Sequence, residues 1–328
     1  MDGVVIAGSV GSFLVECEDG VRRCGIKGKV LKGEGADGRY NALAPGDRVR
    51  VDPDPIDADK GSVTALVPRR NLFWRYNEKG RARQAIAANL DLVVCVASPV
   101  LPPFRPRFVD RVAMMAELGS VPLLIVLNKA DLGLDEETAA RLEDYGRLGY
   151  GVHLCSARTG EGVEELRARL KGLETAFVGQ SGVGKSSVLN ALEPGLSRRV
   201  GEVSEKYERG KHTTTQAVLV RLADGETRIV DTPGFRRLAV RGLDAAEVGP
   251  LFPEIRKVSG GCALGARCRH LDEPGCAVLA AVEAGTIHDD RYESYARVLA
   301  ELEFEETPRW AKKAGRPRRD YGYEHDDD

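Results

Sequence analysis

Apolar and polar residues alternate through the first 70 residues, and turn-forming residues separate the alternating runs. The clearest run, residues 12–26, reads SFLVECEDGVRRCGI and has Asp19-Gly20 at its centre; similar runs occupy 44–51 and 61–67. An Asp-Gly pair between alternating runs indicates a β-hairpin. About five short strands in this length predict a small closed barrel, of either the oligonucleotide-binding or the SH3-like kind.

From about residue 85 the pattern changes to apolar runs that alternate with helical periodicity. Strands alternating with helices form right-handed units around a mainly parallel sheet, so the fold class is α/β. Residues 194–213 are expected to be a loop, and 215–232 two antiparallel strands joined at Asp224-Gly225. The predicted strands are 90–98, 122–128, 152–157 and 175–179, and the predicted helices are 107–119, 136–149, 162–172 and 186–192.

A phosphate-binding loop is indicated where Gly179-x-x-x-x-Gly184-Lys185-Ser186 follows a predicted strand and opens a predicted helix. In such a loop the backbone N–H groups and the helix N-terminus face the phosphates. Lys185 is expected to reach the β and γ phosphates, and the Ser186 hydroxyl to ligate Mg²⁺. The residues expected to bind the cofactor here are Gly179, Gln180, Ser181, Gly182, Val183, Gly184, Lys185, Ser186 and Ser187.

The sequence DTPG at 231–234 ends an apolar strand and predicts the second metal-binding segment of a nucleotide hydrolase. Asp231 would hold the Mg²⁺ shell through water, and the Gly234 N–H would sense the γ-phosphate. A threonine in ERGKHTTTQ, residues 208–216, would complete the Mg²⁺ coordination. Thr214 is the residue chosen, and its neighbours Thr213 and Thr215 remain alternatives.

The segment NKAD at 128–131 predicts recognition of guanine. The Asp131 carboxylate can accept two parallel hydrogen bonds from guanine N1–H and N2–H₂, donors that adenine lacks. Asn128 would fix the loop and the base edge, and the Lys129 stem would cover the ring. CSAR at 155–158 resembles the loop whose backbone N–H, here that of Ala157, contacts guanine O6. The expected base-binding residues are Asn128, Lys129, Ala130, Asp131, Ser156 and Ala157.

These motifs occur in an unusual order, with the base-reading segments before the phosphate loop and the switch segments last. Nucleotide sites in parallel sheets form at the carboxyl ends of the strands, wherever the chain begins. The order therefore predicts a circularly permuted GTPase domain.

Near the C-terminus Cys262, Cys268, His270 and Cys276 form the pattern C-x₅-C-x-H-x₅-C. Three thiolates and one imidazole satisfy tetrahedral Zn²⁺, and a site filled by protein ligands is structural. The sequence predicts one structural zinc ion.

The charge distribution along the chain indicates which kind of partner the protein binds. A net charge of −2 argues against a uniformly basic nucleic-acid binder, but residues 21–33, 68–84 and 309–319 are basic clusters. Taken singly, each is better explained as solvated surface; together they favour contact with RNA. The apolar runs are too short to span a bilayer, and the N-terminus lacks a signal-peptide pattern, so a cytoplasmic location is expected.

The ordered set of a barrel, NKAD, SAR, GQSGVGKSS, GKHTTT, DTPG and a Cys/His cluster resembles the ribosome small-subunit-dependent GTPase family, called RsgA or YjeQ. The resemblance implies a monomer that binds GTP, Mg²⁺ and the 16S rRNA of the 30S subunit. It implies slow GTP hydrolysis, faster on the 30S subunit, and a role in late 30S maturation. Phe235 stands where many GTPases have a water-orienting Gln, and the resemblance implies that His212 takes that role. The family more often has four residues between the first two cysteines, whereas this chain has five.

Four parts are expected: an oligonucleotide-binding-type (OB-like) RNA-binding barrel (1–70), the permuted GTPase domain (71–245), a helical zinc domain (246–310) and a charged, disordered tail (311–328). One alternative function is an rRNA-binding assembly chaperone for which GTP is a structural ligand. Another is an ATP-dependent enzyme, which Asp131 disfavours.

Overall fold

The computed structural model describes residues 1–9, 11–27, 42–77, 82–207, 217–234 and 238–306. The predictions made for His212, Thr214 and its two neighbours, for Phe235 and for the tail at 311–328 lie outside the described residues.

The N-terminal strands close into a barrel in the order β1-β2-β3-β5-β4, with β3 and β5 parallel; they are β1 (Asp2–Ser9), β2 (Ser12–Cys17), β3 (Gly20–Ile26), β4 (Arg48–Pro53) and β5 (Lys60–Leu66). A five-stranded closed barrel with this order has the OB topology, which decides between the two predicted barrel kinds. The predicted hairpin at Asp19-Gly20 joins β2 to β3. Alternate residues such as Val15 and Val63 fill a core that belongs to the barrel itself.

An antiparallel hairpin that the sequence analysis did not predict follows the barrel; its strands are β6 (Leu72–Asn77) and β7 (Ala82–Ala88). The end of β7 is buried, and Ala87 and Ala88 are fully enclosed. The hairpin therefore forms a packed connection between the barrel and the next domain.

Six strands form the central sheet in the order β10-β9-β8-β11-β13-β12; they are β8 (Leu92–Ala97), β9 (Leu123–Leu127), β10 (Gly151–Leu154), β11 (Glu174–Gly179), β12 (Val218–Arg221) and β13 (Arg228–Asp231). All neighbouring pairs are parallel except β12 with β13, which form the predicted antiparallel pair. The β9 sequence LLIVL is buried throughout because helices cover both faces of a parallel sheet. The helices of this domain are α1 (Pro106–Leu118), α2 (Glu136–Arg147), α3 (Val163–Leu170), α4 (Lys185–Leu192) and α5 (Leu196–Tyr207).

The helix α5 shows that the prediction of a loop over 194–213 is wrong for Leu196–Tyr207. Leu196, Val200 and Val203 are spaced four and three residues apart and pack against the main core. This spacing puts them on one helical face, which lies against β12 and against β1 of the barrel.

The C-terminal domain is helical, with α6 (Ala245–Val248), α7 (Pro253–Val258), α8 (Ala277–Glu283) and α9 (Asp289–Glu306). Arg291 of α9, 1% exposed, donates to Asp110 of α1 at 2.8 Å and to Glu254 of α7 at 2.7 Å. Buried charges need such partners, and removal of one leaves another uncompensated. The pairing fixes α9 against α1 of the GTPase domain.

The barrel is joined to the GTPase domain by polar contacts as well as by packing. The Asn89 amide, just before β8, donates to the Gly46 carbonyl at 2.9 Å, and Arg221 of β12 pairs with Glu16 of β2 at 2.8 Å. Through the described part of the chain, no helix is both long and apolar enough to cross a bilayer.

Candidate nucleotide site and metal centre

The phosphate loop joins β11 to α4 as the sequence predicts, and its glycines have conformations that other residues rarely adopt. Gly182 and Gly184 have φ values of +86° and +87°. A Cβ atom on Gly184 would lie 2.3 Å from Nδ2 of Asn128, and one on Gly179 would lie 2.8 Å from the Val96 carbonyl oxygen. The loop therefore requires glycine at these positions because of backbone angle and close packing.

Asn128 connects the base-reading segments to the phosphate loop. Its Nδ2 donates to the Val183 carbonyl at 3.0 Å, and its Oδ1 accepts from the Ala157 N–H at 3.0 Å. Asn128 is 2% exposed, so both hydrogen bonds are shielded from water. The Asn128 side chain, next to the end of β9, thus holds the phosphate loop after β11 and the loop after β10 in fixed positions.

Lys129 adds a second connection. Its Nζ donates to the Gly182 carbonyl at 2.8 Å and to the Leu101 carbonyl. Leu101 lies in the loop after β8, which the sequence analysis did not assign to the site. Its neighbour Pro102 would be 3.4 Å from a Cβ atom on Gly182. The loop after β8 therefore forms one wall of the site.

The Asp131 carboxylate accepts hydrogen bonds from two residues of the loop after β10. The Ser156 hydroxyl donates to Oδ1, and the Arg158 guanidinium donates to Oδ2 from Nε at 3.1 Å and from Nη2 at 2.5 Å. The hydrogen bond from Ser156, followed by those from Arg158, lowers the pKa of Asp131. The carboxylate is therefore held in its charged form, in which both oxygens can accept hydrogen bonds.

The groups predicted to meet the γ-phosphate and Mg²⁺ also lie together. Lys185 Nζ contacts Oδ1 of Asp231 at the end of β13. A Cβ atom on Gly234 would be 3.5 Å from the Ser181 N–H nitrogen, so the DTPG segment lies directly over the phosphate loop. Ser186 at the start of α4 is exposed, which leaves its hydroxyl accessible.

The four Cys/His side chains predicted to bind zinc converge, and their ligand atoms all lie within 4.8 Å of one another. His270 Nδ1 is 3.5 Å from the Cys262 sulfur and 3.4 Å from that of Cys276, and the two sulfurs are 3.9 Å apart. Zinc–sulfur bonds of about 2.3 Å in a tetrahedron place sulfurs about 3.8 Å apart. The donor set and its spacing therefore fit a tetrahedral zinc ion.

Hydrogen bonds hold this cluster in place. The Cys276 sulfur caps α8 and accepts from the Leu279 N–H at 3.5 Å. Tyr292 of α9 donates its hydroxyl to the His270 carbonyl at 2.8 Å. The five-residue spacer before Cys268 contains a 3₁₀ turn at Gly265–Arg267, which returns the chain to the cluster. Burial lowers the pKa of His270, which favours the neutral ring that binds metal.

Sequence reasoning found the segments of the site but missed two participants. The base-reading, phosphate-loop and DTPG residues lie together at the carboxyl ends of β9, β11 and β13 and in the loop after β10. The contact of Arg158 with Asp131 and the wall formed by Leu101 were not predicted. Within CSAR the prediction names Ser156 and Ala157 but not Arg158, although an arginine two residues after Ser156 is a candidate partner for a carboxylate.

A protein-family model described as RsgA GTPase matches residues 66–241 of this chain. The small ribosomal subunit biogenesis GTPase RsgA of Moorella thermoacetica is 40% identical over 302 residues, which cover 92% of this chain and 97% of that protein.

Two solved structures are similar over nearly the whole chain. YjeQ from Thermotoga maritima is 31% identical, with a TM-score of 0.69 over 92% of this chain and 98% of YjeQ. YloQ, described as a circularly permuted GTPase, is 28% identical, with a TM-score of 0.65 over 94% of this chain and 96% of YloQ.

Proposed function

The chain belongs to the RsgA GTPase family, and from this premise we propose that it acts in late maturation of the 30S ribosomal subunit. It is a GTP-hydrolysing enzyme; on this proposal the 30S subunit stimulates hydrolysis, and hydrolysis is coupled to release. The observation that carries the proposal is the contact of Asn128 with Val183 and Ala157, which joins the base-reading segments to the phosphate loop.

The site binds both the guanine base and the phosphates of GTP. Asp131 accepts from guanine N1–H and N2–H₂, and the phosphate-loop N–H groups with Lys185 bind the phosphates. Ser186 and Asp231, with Thr214, would hold Mg²⁺, which when bound neutralises charge on the β and γ phosphates. The Lys185–Asp231 contact supports these roles, because it brings the cation of the phosphate loop and the carboxylate at the end of β13 together.

On this proposal His212 orients the attacking water, the role that the family resemblance implies for it. A ring at Phe235 cannot orient water, whereas an imidazole can accept a proton or position a hydroxyl. His212→Ala is expected to bind GTP normally and to lose hydrolysis stimulated by 30S subunits. If 30S subunits stimulated GTP hydrolysis by His212→Ala as strongly as by the unsubstituted protein, His212 would not orient the water.

The flanking domains bind 16S rRNA and so direct the enzyme to the 30S subunit. The barrel has the OB topology, a fold used for oligonucleotides. Its strand β1 contacts α5 and β12, the two elements that precede and follow residues 208–216 in the chain. One zinc ion held by Cys262, Cys268, His270 and Cys276 stabilises the C-terminal domain. On this proposal the protein works as a cytoplasmic monomer.

Two assays test this function. GTP hydrolysis is measured with and without purified 30S subunits, using Lys185→Ala as the inactive control. Cosedimentation then compares the GTP-analogue and GDP forms on 30S particles. Stimulated hydrolysis with retention of only the GTP-analogue form supports the proposal. Nucleotide-independent binding without stimulation would instead favour an assembly chaperone with GTP as a structural ligand.

A further inference from the structure

The Arg158 side chain covers the carboxylate that reads the base. Both Nε, at 3.1 Å, and Nη2, at 2.5 Å, donate to Oδ2 of Asp131, while the Ser156 hydroxyl donates to Oδ1. The Asp131 side chain is 9% exposed, so little of it remains open to water or to a ligand. In this arrangement Arg158 fills the hydrogen-bonding capacity of Oδ2, one of the two Asp131 oxygens expected to accept from guanine.

The guanidinium is chemically similar to the part of guanine that Asp131 recognises. Guanine N1–H and N2–H₂ are attached to one carbon atom, C2, and present parallel N–H groups to a carboxylate. An arginine guanidinium presents two N–H groups in the same way. The two groups therefore compete for the same acceptor, and both cannot pair with Asp131 at once.

We propose that Arg158 is an internal competitor of guanine, which pairs with Asp131 in the nucleotide-free protein, leaves when the base binds, and so sets the affinity for guanine nucleotides. The proposal rests on the assignment of Asp131 as the guanine reader.

Displacement is possible because the two partners of Asp131 differ in exposure. The Arg158 side chain is 73% exposed, so it can turn into solvent without disturbing the packing. Ser156 is fully buried and keeps its hydrogen bond to Asp131 in both states. Exposed ion pairs are weak, so the competition is expected to lower nucleotide affinity by roughly two- to fivefold.

The competitor acts at the base and not at the phosphates. GTP and GDP carry the same base, so both affinities are lowered by the same factor. Because the pairing stabilises the free protein, it lowers affinity without distinguishing the two nucleotides.

The first experiment measures Kd for GDP and for a non-hydrolysable GTP analogue by calorimetry on Arg158→Ala and on the unsubstituted protein. The variant is expected to bind both roughly two- to fivefold more tightly, by the same factor. Arg147→Ala is the matched control, because Arg147 is 72% exposed and pairs with Asp144 at 3.4 Å. The control should leave both affinities unchanged. Unchanged or weaker binding by Arg158→Ala would overturn the proposal.

The second experiment tests whether Arg158 acts through Asp131. Asp131→Asn is expected to shift recognition to xanthosine nucleotides, since an amide can donate to the xanthine oxygen. When Arg158→Ala is added to the Asp131→Asn variant, the Kd for xanthosine diphosphate should not change, because the carboxylate for which Arg158 and the base compete is gone. A gain as large as in the first experiment would refute the competition. If the unsubstituted protein bound neither GDP nor the analogue, the guanine site itself would be refuted.

Discussion

Asn128 Nδ2 donates to the carbonyl oxygen of Val183 at 3.0 Å, although the two residues are 55 positions apart in the chain. The segment that reads the base and the loop that binds phosphate are thus joined directly. In the permuted order the base-reading segment comes first, so this contact forms only when both strands have taken their places in the sheet.

Asn128→Ala should lower both nucleotide affinity and stability. It leaves the buried Val183 carbonyl and Ala157 N–H without their side-chain partner, at a cost of about 1–3 kcal/mol in the free energy of unfolding. The loosened loop should weaken GDP binding by about tenfold or more. Urea unfolding and calorimetry measure the two effects.

Asn71→Ala is the matched control for Asn128→Ala. Its amide also bridges backbone groups, accepting from the Leu90 N–H at 2.8 Å and donating to the Leu90 carbonyl at 2.7 Å, but at the domain junction. It should lower stability and leave GDP affinity intact. Equal loss of GDP affinity in both variants would mean that the Asn128 effect is one of general stability.

Gly184→Ala should damage the site more than a glycine substitution made elsewhere. Its Cβ would meet Asn128 Nδ2 at 2.3 Å in addition to the strain at φ +87°. Gly195→Ala carries similar strain at φ +80° with nothing within 4 Å of the new Cβ. Strain alone costs about 1–2 kcal/mol. Gly195→Ala should lose only this strain energy and keep GDP binding, whereas Gly184→Ala should lose more stability and also GDP binding. Equal losses would contradict the packing argument.

Asp110→Ala should strongly destabilise the protein, because it removes a buried partner of Arg291. Breaking a buried ion pair from one side costs about 3–5 kcal/mol. Glu293→Ala is the control, since its pair with Arg107 at 3.0 Å also joins α9 to α1 but is exposed. An exposed pair contributes about 0–1 kcal/mol. Urea midpoints that fell equally for the two variants would mean that burial does not decide the effect.

Cys276→Ser should reduce bound zinc, measured by elemental analysis, well below one ion per chain. The serine hydroxyl is a poor zinc ligand, and Cys276 also caps α8. Thermal stability should fall while GDP affinity is retained, because the cluster does not contribute to the nucleotide site. Cys95→Ala, in buried strand β8, should keep its zinc. A full zinc content in Cys276→Ser would show that the ion is bound elsewhere.

Strands and motifs were predictable where a local pattern encodes them. The parallel strands are continuous apolar runs, so the fold class was predictable. Each predicted nucleotide motif follows a strand end, and parallel strands bring those ends together. The convergence of the four Cys/His side chains was predictable because their residue types are rare and closely spaced in the chain.

The errors have specific physical causes. In α5 the apolar stripe of Leu196, Val200 and Val203 was present in the sequence, but the charged residues between them suggested a loop. Strands β6 and β7 lie in a segment interpreted for its basic charge, so its strand pattern was not used. The Arg158–Asp131 contact depends on how two loops meet: the sequence shows that Arg158 is a candidate partner, but the fold brings it to Asp131.

The parallel strands β8 and β13, on either side of β11, connect the two flanking domains to opposite ends of the central sheet. The barrel leads into the central sheet at the N-terminal end of β8, which is the end of that strand away from the phosphate loop. The C-terminal domain leaves through β13 and the segment that carries Gly234. The strand that leads to the C-terminal domain therefore ends beside the phosphate loop, where a Cβ atom on Gly234 would be 3.5 Å from the Ser181 nitrogen, whereas the barrel contacts the sheet at its edge strand β12.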